Sequence, residues 1–258
     1  MGHTFSIRLA NLVVQVATLH AATYELCQSY LCDKDCPFDI SVSVRQRDID
    51  HERTQDVQGA FDDPYYETLA VYRAIAEELP RFGRMLVHGS AVAIGNRSWL
   101  FMAPSGTGKS THARWWRTAF ANENPYVIND DKPIVRVGED GVFVYGTPWD
   151  GKERLSTNAC ARLAAIGLLK QGEQDFAQRA DTHSATPELM RHAYRPVSAN
   201  AARSTIELVL KIAEEVPLFH LRVTDSIQAA HAARAALDDV RPQGQSDNCF
   251  LQGRDRET

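Results

Sequence analysis

The chain has 258 residues, of which 44% are hydrophobic and 24% are charged, and its formal net charge at pH 7 is −5. This length and composition allow a full hydrophobic core, so we expect one large globular domain or one domain with a smaller partner. No basic stretch interleaved with aromatic residues appears, which argues against a nucleic-acid partner. No apolar run approaches the roughly 20 residues of a membrane span. The N-terminus lacks a signal sequence and the cysteine number, five, is odd, so we expect a cytoplasmic protein with reduced thiols and no membrane partner.

Residues 1–83 have the pattern of a small α/β module. Apolar and polar residues alternate over 5–18 and again over 40–45, which predicts strands. Residues 21–30 between them have a helical pattern. The module therefore combines strands with at least one helix before its longest helical segment begins.

That longest helical segment begins at Asp63, which is predicted to cap a helix whose first position is Pro64. Apolar residues recur in it at intervals of four and three and form one stripe along the helix. The stripe consists of Tyr65, Leu69, Tyr72, Ala76 and Leu79. The helix is predicted to end at Pro80, and the module to end at residue 83.

Residues 84–240 have the pattern of a second, larger α/β domain. The apolar runs 85–94 and 99–102 flank a glycine turn, and the second run leads directly into a glycine-rich loop followed by a helix. Residues 241–258 lose both periodicity and apolar content, which predicts a disordered tail. The remaining strands are expected at 126–128, 134–137, 142–145, 163–169 and 218–223, and the remaining helices at 204–215 and 226–237.

The sequence APSGTGKST at 103–111 has the composition of a phosphate-binding loop. Its two glycines let successive backbone N–H groups point at phosphate oxygens, and the following helix adds its positive N-terminal end. In this pattern Lys109 reaches the β- and γ-phosphates, and the Ser110 hydroxyl can ligate Mg²⁺. We therefore expect ATP and Mg²⁺ to bind at a site formed by Ser105, Gly106, Thr107, Gly108, Lys109, Ser110 and Thr111.

Asp130 and Asp131 follow the strand predicted at 126–128. Two aspartates after a strand often only cap a turn or face water. Beside a phosphate-binding loop, however, one carboxylate can hold Mg²⁺ while the second accepts a proton from an attacking hydroxyl. A hydrolytic switch protein needs only one such aspartate, so the pair favours a kinase.

The segments VHGSAVAIGNRSWLFMAPSGTGKSTH (87–112) and NDDKP (129–133) resemble the HPr kinase and phosphoenolpyruvate carboxykinase superfamily. In that superfamily a histidine-bearing strand precedes the loop and a double aspartate follows it. The segment YGTPWDGKE (145–153) is similar to a group of short HPr-kinase-like proteins. Some of those proteins phosphorylate a serine of a ribosomally made peptide, such as a lasso peptide precursor. The resemblance implies an α/β fold that joins a P-loop kinase core of the HPr kinase type to a small N-terminal α/β module.

The resemblance also implies roles for individual residues. Lys109 and Ser110 would hold phosphate and metal, Asp130 would be the catalytic base, and Asp131 would be a metal partner. His88 would be a catalytic polar residue near the transferred group. A lone histidine in an apolar strand is also common as a satisfied core residue, so both roles stay open for His88.

The turn after the strand at 142–145 contains Trp149, Asp150 and Lys152. We expect this turn to be exposed and to contact the phosphate acceptor, although surface turns carry such residues routinely. The expected function is transfer of the γ-phosphate of ATP to a hydroxyl, in the first place a serine of a peptide or protein. A sugar or sugar nucleotide is the alternative acceptor, and a nucleotide-gated binding module without phosphotransfer is the alternative class. The sequence leaves the oligomeric state open, including a homo-oligomer.

Overall fold

A computed structural model describes residues 2–33, 36–56, 59 and 61–238. In these residues the chain is a mixed α/β structure that contains a four-stranded sheet and a nine-stranded sheet. Among the helices of these ranges, none is both long and apolar enough to cross a membrane. The tail predicted at 241–258 lies outside the described residues.

The first sheet is formed by the N-terminal residues, with strands in the order β3-β1-β2-β4. β1 and β2 form an antiparallel hairpin whose tip, Ala10 and Asn11, has positive φ values of 46° and 64°. The predicted helix at 21–30 is shorter in the structure and is followed by a 3-10 helix, and α2 was not predicted. The elements are β1 (His3–Leu9), β2 (Leu12–Thr18), α1 (Ala22–Leu26), the 3-10 helix (Gln28–Tyr30), β3 (Leu31–Cys32), β4 (Ile40–Ser43) and α2 (Gln46–Gln55).

The long helix α3 (Asp63–Glu78) covers the first sheet. Its capping residue is Asp62 rather than the predicted Asp63, because the Asp62 carboxylate accepts the Tyr65 N–H at 3.2 Å and its backbone is extended. Pro64 is therefore the second helical residue rather than the predicted first, and in the first turn it still removes no intrahelical hydrogen bond. The α-helix ends two residues before Pro80 and continues as a 3-10 helix (Leu79–Phe82).

The second sheet has the order β5-β9-β10-β11-β7-β6-β8, and β13 pairs with β11 and β12. β11 runs parallel to β7 and β13, whereas β6 is antiparallel to β7. β12 and α5 were not predicted. The strands are β5 (Arg84–Leu86), β6 (Ser90–Ile94), β7 (Arg97–Met102), β8 (Tyr126–Asn129), β9 (Ile134–Gly138), β10 (Gly141–Tyr145), β11 (Cys160–Gln171), β12 (Phe176–Arg179) and β13 (Leu218–Val223). The helices are α4 (Lys109–Ala119), α5 (Thr182–His192), α6 (Ala199–Glu215) and α7 (Ile227–Asp238).

β7 is buried on both faces because helices cover the second sheet from both sides. Trp99 and Phe101 pack in the cluster that contains residues of α4 and α7. Leu100 and Met102 alternate with them and pack in the cluster that contains residues of α5 and α6. The strand that leads into the glycine loop is therefore fixed from both sides.

The two sheets share hydrophobic core. The cluster beneath the first sheet and α3 also contains Leu86, Phe143 and Trp149 from the second part of the chain. The predicted boundary at residue 83 coincides with the change from the first sheet to the second. The folding of residues 1–83 and 84–240 as separate domains stays a prediction.

The cysteines differ in their state. Cys27, Cys32 and Cys36 are free, and burial raises the pKa of the Cys27 thiol to about 12. Cys160 takes part in a disulfide bond. The expectation of reduced thiols is therefore confirmed for the three N-terminal cysteines and wrong for Cys160.

Candidate functional site

The glycine loop, residues 103–108, connects the end of β7 to the start of α4 at Lys109. Gly106 and Gly108 have φ values of +79° and +94°, in the left-handed region that favours glycine. A side chain on Gly106 would meet nothing within 4 Å, so the backbone there faces open space. Ser105 is exposed, and Thr107, Ser110 and Thr111 are half-buried. The loop thus presents backbone N–H groups and the N-terminus of an 11-residue helix to an anion.

Lys109 is buried beside this loop, and its ammonium group has three partners. Nζ donates to the carbonyl oxygens of Ala103 at 2.9 Å and Pro104 at 3.1 Å, and it lies 3.0 Å from His88 Nε2. Burial lowers the pKa of Lys109, the Asp131 charge counteracts this effect, and the Lys132 charge adds to it. The lysine is therefore held at the base of the loop by backbone and imidazole.

His88 lies in the bend between β5 and β6, not inside an apolar strand as predicted. Its backbone N–H donates to the carbonyl of His192 at 2.7 Å, and its Nδ1 lies 2.9 Å from Asp131 Oδ1. A lysine ammonium can only donate, so Nε2 accepts from Lys109 and Nδ1 carries the proton that Asp131 accepts. The imidazole thus connects the loop lysine to the second aspartate.

Asp131 is paired on both sides of the same carboxylate oxygen. Oδ1 accepts from His88 and, at 3.0 Å, from Lys132 Nζ. Burial acts to raise the pKa of Asp131, but hydrogen bonds and charges from His88 and Lys132 outweigh it and hold the pKa below its usual range. The Gly89 N–H donates to the Asp131 carbonyl at 3.1 Å, which holds the His88 bend alongside the aspartates. This carboxylate therefore stays ionised.

Asp130 has a different environment, although it is the neighbouring residue. It is 4% exposed, its Oδ1 accepts the Gly151 N–H at 2.6 Å, and its buried Oδ2 has no hydrogen-bond partner within the described ranges. A Cβ on Gly151 would lie 2.7 Å from Oδ2, so the backbone of the turn lies directly against the carboxylate. Burial raises the pKa of Asp130, the Asp150 and Asp131 charges add to this, and the Gly151 N–H opposes it. One oxygen of this carboxylate is left without a donor.

Asn129 positions both aspartates and was not identified from the sequence. Its buried side-chain oxygen accepts the N–H groups of Asp131 at 2.9 Å and Lys132 at 2.6 Å. Its amide nitrogen donates to the carbonyls of Thr147 at 3.1 Å and Trp149 at 3.2 Å. The tendency of asparagine to bond backbone two residues on was the available signal, since Asn129 ends a strand and begins the turn of the pair.

A groove with a volume of about 1010 Å³ opens beside the contacts of Lys109, His88, Asp131 and Lys132, which are called the loop network below. One wall is the turn after β10, including Trp149, Asp150 and Lys152, and the opposite wall comes from α1 and the start of α3. Phe61 and Tyr65 at this opposite wall are both exposed and stack at 4.1 Å between ring centroids. The groove residues used below are Phe61, Tyr65, Leu69, Tyr72, Asp131, Lys132, Trp149, Asp150 and Lys152. Three residues of the predicted α3 stripe therefore face the groove.

The structure corrects the expectation that the whole turn is exposed. Trp149 is 6% exposed, its indole N–H donates to the Thr68 carbonyl at 3.0 Å, and its ring lies 6.0 Å from that of Tyr72. Asp150 is half-buried and accepts from the Ser156 hydroxyl at 2.8 Å. Only Lys152 of the three is exposed. Trp149 is thus a core residue that also borders the groove.

Replacing Trp149 should consequently affect folding more than binding. We expect Trp149→Ala to lower the free energy of unfolding by about 3 kcal/mol, because a buried indole and its hydrogen bond are lost. Chemical denaturation measures this, with Lys152→Ala in the same turn as the exposed control. An unchanged unfolding midpoint for Trp149→Ala would contradict the core role.

A second cavity of about 480 Å³ adjoins the glycine loop on the side of β11 and α5. Besides loop residues it is lined by Lys170, Gln171, Glu188 and Arg191. The α5 residues of this cavity were not identified in advance, because α5 itself was not predicted. This space adjoins the exposed loop backbone at Ser105 and Gly106.

No protein-family model matches the chain, and no curated protein matches it. In the part of the chain that the structure describes, no group of three or more His, Cys, Asp or Glu side chains could hold a metal ion by itself. The resemblance to the HPr kinase superfamily therefore stays a prediction.

Proposed function

We propose that this chain is an ATP-dependent kinase with a P-loop core of the HPr kinase type, which transfers the γ-phosphate to a hydroxyl acceptor. The observation that carries this proposal is the continuous set of contacts from Lys109 through His88 to Asp131. It joins the glycine loop to a groove that can hold a second substrate. A binding module that only switches with nucleotide has no need of an acceptor groove beside Asp131 and Lys132.

The loop residues supply the nucleotide site. Backbone N–H groups of 105–111 would contact the phosphates, and Lys109 would exchange a loop carbonyl for a phosphate oxygen. Ser110 and Asp131 would hold Mg²⁺, since hydroxyl and carboxylate oxygens suit this ion and the lowered pKa of Asp131 keeps its carboxylate ionised. When bound, the ion would neutralise charge on the phosphates.

The transfer step assigns separate tasks to the two aspartates. The acceptor oxygen forms a bond to the γ-phosphorus while the bond from that phosphorus to the bridging oxygen of ADP breaks, and ADP leaves. The hydroxyl proton passes to Asp130, which has a carboxylate oxygen without a partner and a raised pKa that increases its affinity for a proton. His88 holds the positions of Lys109 and Asp131 during this step, because its two ring nitrogens contact both side chains.

The groove supports a serine of a peptide or protein as the acceptor. Its volume of about 1010 Å³ is at the upper end of the roughly 300–1,000 Å³ typical of small-molecule sites, and one wall carries exposed aromatic rings. A single sugar ring would leave most of this space empty. A sugar or sugar nucleotide is the alternative that the experiment must separate.

The decisive experiment is acceptor-dependent release of ADP. Purified protein with Mg²⁺-ATP should release ADP slowly alone and faster with one member of a panel of serine peptides, sugars and sugar nucleotides. Labelled phosphate should appear on that compound. ADP release that no acceptor increases, with no labelled product, would contradict kinase function and favour a nucleotide-gated binding module.

We expect Lys152→Ala to raise the acceptor KM about tenfold while nucleotide affinity stays within about twofold of wild type. Lys152 is an exposed cation at the groove, so its removal does not disturb the core. An acceptor titration and a fluorescent ATP analogue measure the two quantities, with Lys211→Ala on α6 as the control. A parallel loss of nucleotide affinity would assign the turn to the nucleotide site instead.

A further inference from the structure

Lys132 lies between the contacts of the glycine loop and the groove. Its Nζ is 3.0 Å from Asp131 Oδ1 and 3.2 Å from His88 Nδ1, and the same residue lines the groove. Its side chain is 22% exposed. Lys132 thus lies between the glycine loop and the groove, where the transferred phosphoryl group would meet an acceptor.

The hydrogen bonds of the two lysines differ. Lys109 directs its three donors to two loop carbonyls and to His88 Nε2. Lys132 has three donors, and in the described residues its Nζ lies within hydrogen-bond distance of Asp131 Oδ1 and His88 Nδ1. At least one of its N–H groups therefore has no acceptor there.

The charges of the network favour an anion at the same point. Lys109 and Lys132 contribute two positive charges, one beside each ring nitrogen of His88, and Asp131 contributes one negative charge. These three side chains therefore have one positive charge in excess. Asp130 does not take part in these contacts, and its bonded oxygen accepts the Gly151 N–H. An ammonium group with a free donor in such a setting is suited to phosphoryl oxygens.

The backbone of Lys132 is fixed, which distinguishes it from a mobile surface lysine. Its N–H donates to Asn129 Oδ1 at 2.6 Å, and its carbonyl accepts from the Thr147 hydroxyl at 2.8 Å. The next residue, Pro133, accepts the Val87 N–H at 3.0 Å, close to His88. The side chain thus starts from a defined position beside the loop network.

We propose that Lys132 forms a second phosphoryl-binding subsite, on the acceptor side of the transferred group, and is a catalytic residue distinct from Lys109. This inference rests on the proposed kinase function. Lys109 contacts the phosphates from the side of the loop, whereas Lys132 contacts the equatorial oxygens of the group as it passes to the acceptor. The same contact holds the phosphate of the product while ADP leaves.

The test compares ligands with and without a mimic of the transferred group. In Lys132→Met we expect MgADP to bind within about twofold of wild type, and MgADP with aluminium fluoride to bind about 10- to 100-fold more weakly. Single-turnover transfer should slow by about 10²-fold. Lys132→Arg, which keeps the charge, should recover most of the aluminium fluoride affinity. Lys211→Met, an exposed lysine that lines neither cavity, serves as the control.

The outcomes separate this subsite from the kinase proposal. Equal binding of MgADP with aluminium fluoride by Lys132→Met and wild type would overturn the subsite, while acceptor-dependent ADP release by wild type would leave the kinase function intact. Lower thermal stability with loss of MgADP binding in both the Met and Arg variants would also overturn it, since Lys132 would then only hold the fold. A wild type that binds no MgADP would overturn both.

Discussion

Lys109→Ala should lower kcat/KM for phosphotransfer by about 10²- to 10³-fold, equivalent to roughly 3–4 kcal/mol of transition-state stabilisation. The lysine charge would compensate the negative charge on the phosphates, and no other lysine donates to the loop carbonyls in the described part of the chain. The packing of β7 and α4 does not depend on its ammonium group, since Trp99, Phe101 and Trp116 fix both elements. The fold should therefore survive.

Steady-state kinetics and thermal unfolding together test this result. Lys109→Ala should unfold within a few degrees of wild type, although two loop carbonyls lose a donor. Lys211→Ala, on α6, should retain full turnover. Turnover by Lys109→Ala equal to wild type would remove the loop from the reaction, and a large drop in unfolding temperature would make the lysine structural.

The sequence was sufficient to predict the local parts of this site. The glycine loop lies between a strand and a helix as predicted, because the signal is contained in consecutive residues that set their own backbone conformation. The strand that ends at the aspartate pair and the strands β9 and β10 were also predicted, since alternation is a local pattern. Asp131 and His88 meet because the segments after β5 and β8 pair side by side.

The groove could not be predicted, because it depends on contacts between distant segments. Helical periodicity placed Tyr65, Leu69 and Tyr72 on one face of α3, but it does not say whether that face meets a core or a cavity. Trp149 was predicted to be exposed from the turn residues around it. Its burial depends on the Thr68 carbonyl, 81 residues earlier in the chain.

The two aspartates likewise look equivalent in the sequence. Their difference arises because Asp131 faces His88 and Lys132, whereas Asp130 faces the backbone of Gly151 and has one oxygen without a partner. No local pattern distinguishes adjacent carboxylates, since their surroundings come from other strands and turns. Because of this difference, substitutions of Asp130 and Asp131 should have separate effects on phosphotransfer and on the Mg²⁺ requirement.

Asp130→Asn should reduce phosphotransfer by about 10²- to 10⁴-fold, the usual cost of removing a general base, while Mg²⁺-ATP affinity stays near that of wild type. Asparagine keeps the acceptor for the Gly151 N–H but cannot take the acceptor proton. Single-turnover transfer measures the rate, and titration of a fluorescent ATP analogue measures binding. Asp131→Asn should instead raise the Mg²⁺ concentration that half-maximal activity requires, so reversed phenotypes would exchange the two roles.

The same pair of variants should shift stability in opposite directions at neutral pH. The fold raises the pKa of Asp130, so it disfavours the ionised carboxylate, and Asp130→Asn should be more stable than wild type. That difference should shrink as the pH falls, because wild type loses the unfavourable charge as it becomes protonated. The fold lowers the pKa of Asp131, so its ionised form stabilises the protein at neutral pH and Asp131→Asn should be less stable, again with a difference that diminishes in acid. Thermal unfolding measured from neutral to acidic pH tests both variants. If Asp130→Asn were instead destabilised like Asp131→Asn, Asp130 would be a structural anchor for the turn at Gly151 and not a base kept ready for a proton.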